Sequence, residues 1–130
     1  MLKGKTIGVQ GSTIGANFLG KYLADMVEIS EYRTTNVHDI DLLNGRVDAI
    51  FAAQTNFVTT MEKPDFATMK MVGTALRGGV FRTDVGVVLR KNEPEIKELF
   101  NKAISDAVKD GTGRYLSMKW FKLNLTPSVE

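Results

Sequence analysis

Ile14, Phe18, Tyr22 and Met26 recur every four residues, and Leu19 and Leu23 widen the stripe they form. One apolar face at that spacing predicts a helix over about residues 14–26. Before it, Thr6-Ile7-Gly8-Val9-Gln10 is a short, mostly apolar run closed by Gly11, which predicts a buried strand. After it, residues 27–32 alternate as a half-exposed strand should. Val37, Ile40, Leu43 and Val47 mark a second helix, with Asn44-Gly45 as its stop. Residues 49–53 are apolar on both faces, as a central parallel strand must be. A short helix over 55–61 ends before Pro64, and residues 70–76 predict a fourth strand. Residues 77–84 carry Gly78-Gly79 and predict a loop or hinge, and 85–90 are strand-like again. Strand and helix thus alternate up to residue 76. The class is α/β, with a mostly parallel sheet and helices on both faces.

The last forty residues follow another pattern. Asn92 is a candidate N-cap, with Glu95 at the capping-box spacing. Ile96, Leu99, Phe100, Ala103, Ile104, Ala107 and Val108 then form a broad apolar stripe, which Gly111 stops. A second short helix carries Tyr115, Leu116, Met118, Trp120 and Phe121, whose apolar area predicts burial. No strand of the first 76 residues calls for these two helices.

Charge narrows the partners. Residues 1–80 hold 8 basic and 8 acidic side chains, and the remainder 9 and 7. No segment concentrates positive charge, so no nucleic-acid role is expected despite the pI of 8.9. Cysteine is absent and His38 is the sole histidine, which excludes thiol catalysis, disulfides and Cys/His zinc sites. A Ser-His-Asp triad would have to run through His38, and a lone histidine is more often a surface or cap residue. No apolar run reaches the roughly 18 residues of a membrane span, and the start runs straight into a strand without a signal peptide. The chain is then expected to be either cytosolic or a mature or cut-down piece of something exported. Met26, Met61, Met69, Met71 and Met118 read as core filling.

The most informative local feature is Gln10-Gly11-Ser12-Thr13-Ile14-Gly15-Ala16-Asn17, where the first strand ends and the first helix opens. Ligands of open α/β sheets bind at such strand ends, and a helix N-terminus favours a carboxylate or phosphate. Gly11 allows close backbone approach, while Ser12 and Thr13 offer hydroxyls. The alternative is that Ser12 or Thr13 simply caps the helix. The second candidate is Gln54, which follows Ala52-Ala53 at the end of the third strand. A 2-1-3 strand order would bring that end beside the Gly11 turn. Its plainer role is a helix-start or turn residue. Arg46 and Asp48 flank the opposite end of that strand and are expected to stabilise the turn there.

Residues 2–13, with Gly4-Lys5-Thr6-Ile7-Gly8-Val9-Gln10-Gly11-Ser12-Thr13 at their heart, resemble the opening of the second lobe in periplasmic amino-acid-binding proteins of ABC importers. Leu43-Asn44-Gly45-Arg46-Val47-Asp48-Ala49 resembles that family's helix-to-strand segment. Val85-Gly86-Val87-Val88-Leu89-Arg90-Lys91, Asp110-Gly111-Thr112 and Trp120-Phe121 resemble its return segment. The flavour is that of the lysine, arginine, ornithine and opine-binding branch. The resemblance implies one parallel-sheet lobe of a type II periplasmic binding protein, with a C-terminal two-helix tail. It implies a ligand-binding lobe over residues 1–80. Residues 81–130 would supply a hinge strand and helices that pack on a first lobe lying outside this chain.

It further implies a non-enzymatic solute-binding module, periplasmic, with no cofactor and no metal, serving an ABC permease. In such proteins two lobes close like a clamp, and a Gly-Ser/Thr-Thr turn holds the ligand's α-carboxylate. Gly11, Ser12 and Thr13 match that turn. The family often places an acidic residue after the third strand to hold the α-amino group. Ala52-Ala53-Gln54 has none there, which departs from a plain amino acid and suits an opine with a substituted nitrogen. Ile14 also replaces a polar residue of some relatives. Alone, the chain is expected to bind weakly, and its tail either to join two chains as a homodimer or to fold back onto the lobe. The rival from another class is a flavodoxin-like flavin protein, resting on fold-level analogy of the Gly11–Asn17 loop.

Overall fold

The computed structural model describes residues 2–81 and 86–127. Two compact units divide the chain, Met1–Thr83 and Asp84–Glu130. In the first, strands β1 (Thr6–Gln10), β2 (Glu28–Tyr32) and β3 (Ala49–Phe51) form a parallel sheet in the order β2-β1-β3. Helices α1 (Ile14–Tyr22), α2 (Thr35–Leu43) and α3 (Gln54–Met61) follow the three strands in turn. The α/β class is as the sequence predicts, and the 2-1-3 order is the one that brings the end of the third strand beside the Gly11 turn. β1 is central: Thr6 through Gln10 register against Glu28 through Tyr32, and Ile7 through Val9 against Ala49 through Phe51.

Alternation along β1 sends its side chains to opposite faces. Ile7 and Val9 join Ala16, Leu19 and Val27 in one buried cluster, flanked by Phe18, Leu23, Ile29 and Phe51. This is the α1 face. The part of the predicted stripe that faces inward is Phe18, Leu19 and Leu23, joined by Ala16, whereas Ile14, Tyr22 and Met26 are exposed. The helix also ends at Tyr22, earlier than the periodicity suggests. Gly8 faces the other way, where a Cβ would meet Tyr32, Ile50 and His38 at 3.2–3.4 Å. A side chain there would press on all three, so Gly8 lets α2 approach the strand closely.

The α2 face corrects two expectations. His38 is fully buried, not a surface or cap residue, and Asp39 beside it is buried too. Val37 and Ile40, read from the sequence as the inward stripe, are about half exposed. The helix is rotated toward its polar residues because Asp39 accepts a 2.8 Å hydrogen bond from the Thr60 hydroxyl of α3. A buried carboxylate with a partner is tolerated where an unpaired one would not be. Asn44 caps α2, and Gly45 takes the left-handed φ of 68° that ends it, as predicted.

The predicted fourth strand over 70–76 is absent. Gly73 adopts φ 80°, which breaks extension, and every residue from 70 to 76 is exposed without a ladder partner. A strand exists only through pairing, whatever its composition. Residues 86–90 are likewise not a strand, and Val85, where that prediction begins, lies outside the described residues.

The second unit is built on α4 (Pro94–Lys109) and α5 (Thr112–Phe121). Its N-cap is Glu93 rather than Asn92. Pro94 lacks an N–H and has a preset φ, so it serves as the first helical residue and moves the cap next to itself. Asn92 instead takes φ 70°, a left-handed conformation asparagine tolerates. Gly111 at φ 83° separates the helices. There the Asp110 carboxylate accepts the Thr112 N–H at 2.8 Å, which holds its pKa below the usual value. None of the described residues of this unit is fully buried, and Leu99, Tyr115 and Trp120 are more than 60% exposed. The predicted burial of these aromatics is not found, because two helices cannot enclose a core without a further layer. The methionines are corrected too: Met26, Met61, Met71 and Met118 are exposed rather than core filling.

Candidate functional site

Parallel strands bring the C-terminal ends of β1 and β3 to one edge of the sheet, because Val9 pairs with Phe51. The Gly11-Ser12-Thr13 turn therefore leaves the sheet beside Ala52-Ala53, and Gln54 opens α3 at that edge. The turn is pinned on its other side by β2. The Gly11 N–H donates to the Tyr32 carbonyl at 2.9 Å, and the Gln10 side-chain amide donates to the Arg33 carbonyl at 3.1 Å.

Within the turn the three residues have different roles. Thr13 is the N-cap of α1: its Oγ1 accepts the Ala16 N–H at 3.1 Å and donates to the Gln10 carbonyl at 2.7 Å. Its one hydroxyl proton is thus engaged, so Thr13 shapes the turn and has no free donor in this conformation. Ser12 is exposed and takes φ 57°, a left-handed conformation that is uncommon for serine. The N–H groups of Ile14 and Gly15, in the first turn of α1, have no partner among the described residues. They face the end of the helix where an anion is favoured. The capping and anion readings of the sequence are therefore compatible, since one residue caps while backbone groups stay open.

Gly15 has a further part. A Cβ there would meet the Phe51 ring at 3.1 Å and Val9 at 3.5 Å, so the first turn of α1 sits directly on β1 and β3. Phe51 in turn belongs to an aromatic cluster with Phe18 and Phe81, at centroid distances of 5.8 and 6.1 Å; Phe18 and Phe81 lie 4.9 Å apart. Sequence reasoning missed this support, which brings together phenylalanines far apart in the chain. It also missed Glu31, whose carboxylate would stand 2.8 Å from a Cβ at position 11. The one-to-one register of β1 with β2 was the available clue.

At the opposite edge the predicted turn roles of Arg46 and Asp48 are met. Asp48 accepts from the Thr6 N–H at 2.9 Å and from Lys5 at 3.0 Å, which holds its pKa low. Asp41 accepts from Tyr32 at 2.8 Å and Arg46 at 2.9 Å, with the same effect. Among the described residues no cluster of three His, Cys, Asp or Glu side chains is poised for a metal. No helix among them is long and apolar enough to cross a membrane.

The chain is 38% identical, over 97% of its length, to the octopine-binding periplasmic protein of Rhizobium meliloti. Identity to the lysine/arginine/ornithine-binding periplasmic protein of Escherichia coli is 33% over 95%. To the histidine-binding periplasmic protein of Salmonella typhimurium it is 32% over 95%. The chain is a homologue of half a periplasmic amino-acid- or octopine-binding protein. It spans about half the length of these relatives, 49% in each case. A further relative, from Escherichia coli, is named as a putative ABC transporter arginine-binding protein, in keeping with a family of ABC importers. No family model matches the chain. Its parallel-sheet unit has the architecture of one lobe of such a binding protein.

Proposed function

We propose that this chain supplies one side of an amino-acid or opine clamp in an ABC importer. In this reading residues 1–80 are the ligand-binding lobe, and 81–130 connect to and pack on a first lobe. The observation that carries it is the β1–α1 turn, with open backbone N–H groups at a capped helix start in a homologue of periplasmic binding proteins. The ligand's carboxylate docks against the Gly11-Ser12-Thr13 turn, at the Ser12 hydroxyl and the open N–H groups of Ile14 and Gly15 that Gly11 and Thr13 position, and Gln54 meets its nitrogen from the neighbouring strand end. A neutral Gln54 with no carboxylate at 52–54 favours a substituted nitrogen, as in an opine, over a free α-ammonium. The relatives are named as binding proteins, which supports a non-enzymatic role in the periplasm with an ABC permease as partner. Neither the turn geometry nor the relatives support the flavodoxin-like alternative.

Titration calorimetry of the purified chain with arginine, ornithine and octopine tests this reading. The expected result is weak binding, with octopine preferred, and loss of binding in Ser12→Pro, which removes a backbone donor and forbids its φ of 57°. Monomeric binding tighter than about 1 μM, some 8 kcal/mol, would contradict the half-site. In the same reading the exposed apolar face of α4 and α5 joins either a first lobe or, as a homodimer, a second copy. Light scattering across a dilution series separates the two, since only the homodimer dissociates on dilution.

A further inference from the structure

His38 has two features that neither capping nor core filling explains. It is completely buried between α2 and the sheet, and its Nε2 has no hydrogen-bond partner among the described residues. Its Nδ1 lies 2.9 Å from Asp39 Oδ1, which leaves Nε2 as the ring nitrogen with no polar group at hand among the described residues. Asp39 directs its other oxygen to Thr60, so a single carboxylate joins the histidine's surroundings to α3. The other groups around the ring are the Tyr32 ring of β2, edge-on at 6.0 Å, Gly8 of β1 and, across Gly8, Ile50 of β3. Beyond Tyr32 lies Asp41, which accepts hydrogen bonds from the tyrosine hydroxyl and from Arg46. No group facing His38 from β1, β2 or β3 is positioned to accept a proton from its Nε2.

We propose that His38 is an acid-sensitive catch, whose protonation releases the α2–α3 layer from the sheet while leaving the α1 face closed. A neutral imidazole is tolerated in this site as a near-apolar wedge against Gly8. A protonated one carries two N–H donors, of which Asp39 can take one, and the buried Nε2–H is left unsolvated. Relief comes from moving the ring toward water, and α2 moves with it. Through Asp39 and Thr60 the last turn of α3 follows. α3 begins at Gln54, so the layer that acid loosens carries one of the two candidate ligand positions, whereas the Gly11 turn stays with α1. The direction agrees with burial, which pushes the His38 pKa below its usual value of 6.5 against the smaller pull of Asp39.

Because His38 is the only histidine, its ring gives one imidazole signal by NMR, free of overlap. The experiment follows that signal and amide hydrogen exchange in the full chain from about pH 7.5 to 5. The expected result is a titration below 6.5, with exchange of α2 and α3 amides, corrected for intrinsic rates, accelerating over the same range. Each pKa unit separating the folded from the exposed ring shows as a tenfold gain in opening. Amides of α1 keep their protection. The acceleration disappears in His38→Phe, or in His38→Gln should the first variant not fold. A ring titrating at or above 6.5, equal loss of protection on both faces, or acceleration that persists in the variants would each overturn the proposal. None of these readouts requires a ligand, so failure of the clamp reading shows separately in the calorimetry.

Discussion

On the α1 side of the sheet, Ile7, Val9, Leu19 and Val27 close a core from apolar side chains alone. On the α2 side, the polar His38, Asp39 and Thr60 are buried, and Gly8 stands where a strand would ordinarily present a side chain. The same central strand serves both. The first face is non-directional: burial stabilises it at about 25 cal/mol per Å² of apolar surface, and neighbours can shift to refill space. The second depends on a few directional contacts, and an unsatisfied buried group costs more than a made hydrogen bond returns. The lesson is that one face is robust to chemistry and sensitive to volume, while the other is the reverse.

The largest expected effect breaks the apolar side. Leu19→Ala should lower stability by about 3 kcal/mol in urea denaturation, with little dependence on pH between 5 and 8. An equal loss at every core position of α2 would erase the distinction. Next comes the polar side: Asp39→Ala removes the acceptor for Thr60 and should cost about 2 kcal/mol, whereas Asp39→Asn keeps an acceptor oxygen and should cost less. If alanine and asparagine behaved alike, the directional account would fail.

Smaller effects sharpen the picture within one helix. Gly15→Ala crowds Phe51 at 3.1 Å, and that strain outweighs the helix-propensity gain for a net loss of about 1 kcal/mol. Gly20→Ala, with nothing within 4 Å, should instead stabilise by about 0.7 kcal/mol. Thermal melts of the pair read the two signs directly. The smallest effect is acid-dependent. Asp41, Asp48 and Asp110 have lowered pKa values, so the stability they lend is present above 3.8 and lost as pH falls through their folded values. The His38 contribution is present above 6.5 and lost as pH falls through its own lowered value. Two acid legs in an unfolding titration are expected, of which Phe at position 38 removes only the upper.

The apolar face was largely legible in the sequence and the polar one was not. Val9 and Leu19 announce themselves by period, and so did the three strands, the Asn44-Gly45 stop and the Gly11 turn. Periodicity counts hydrophobic side chains, however, and on α2 it selected Val37 and Ile40 while the helix buried His38 and Asp39. What rotates α2 is a hydrogen bond to a residue 21 positions away, which no local window contains. The predicted strand over 70–76 failed for a similar reason, since pairing is a property of two segments. At the site, the helix start and its cap were readable from Thr13. The supports supplied by Phe51 and Phe81 depend on packing across the sheet, and became visible only with the fold.

One consequence follows from β1 preceding both of its neighbours in sequence while lying between them in the sheet. During synthesis the template emerges before either of its neighbours, so β2 and later β3 each join an edge that is already available. Pairing proceeds outward in the order of translation, and no strand has to insert between two others. The same arrangement concentrates vulnerability: among the described residues both β2 and β3 bond to β1 alone, so losing residues 6–10 would leave them with nothing in common.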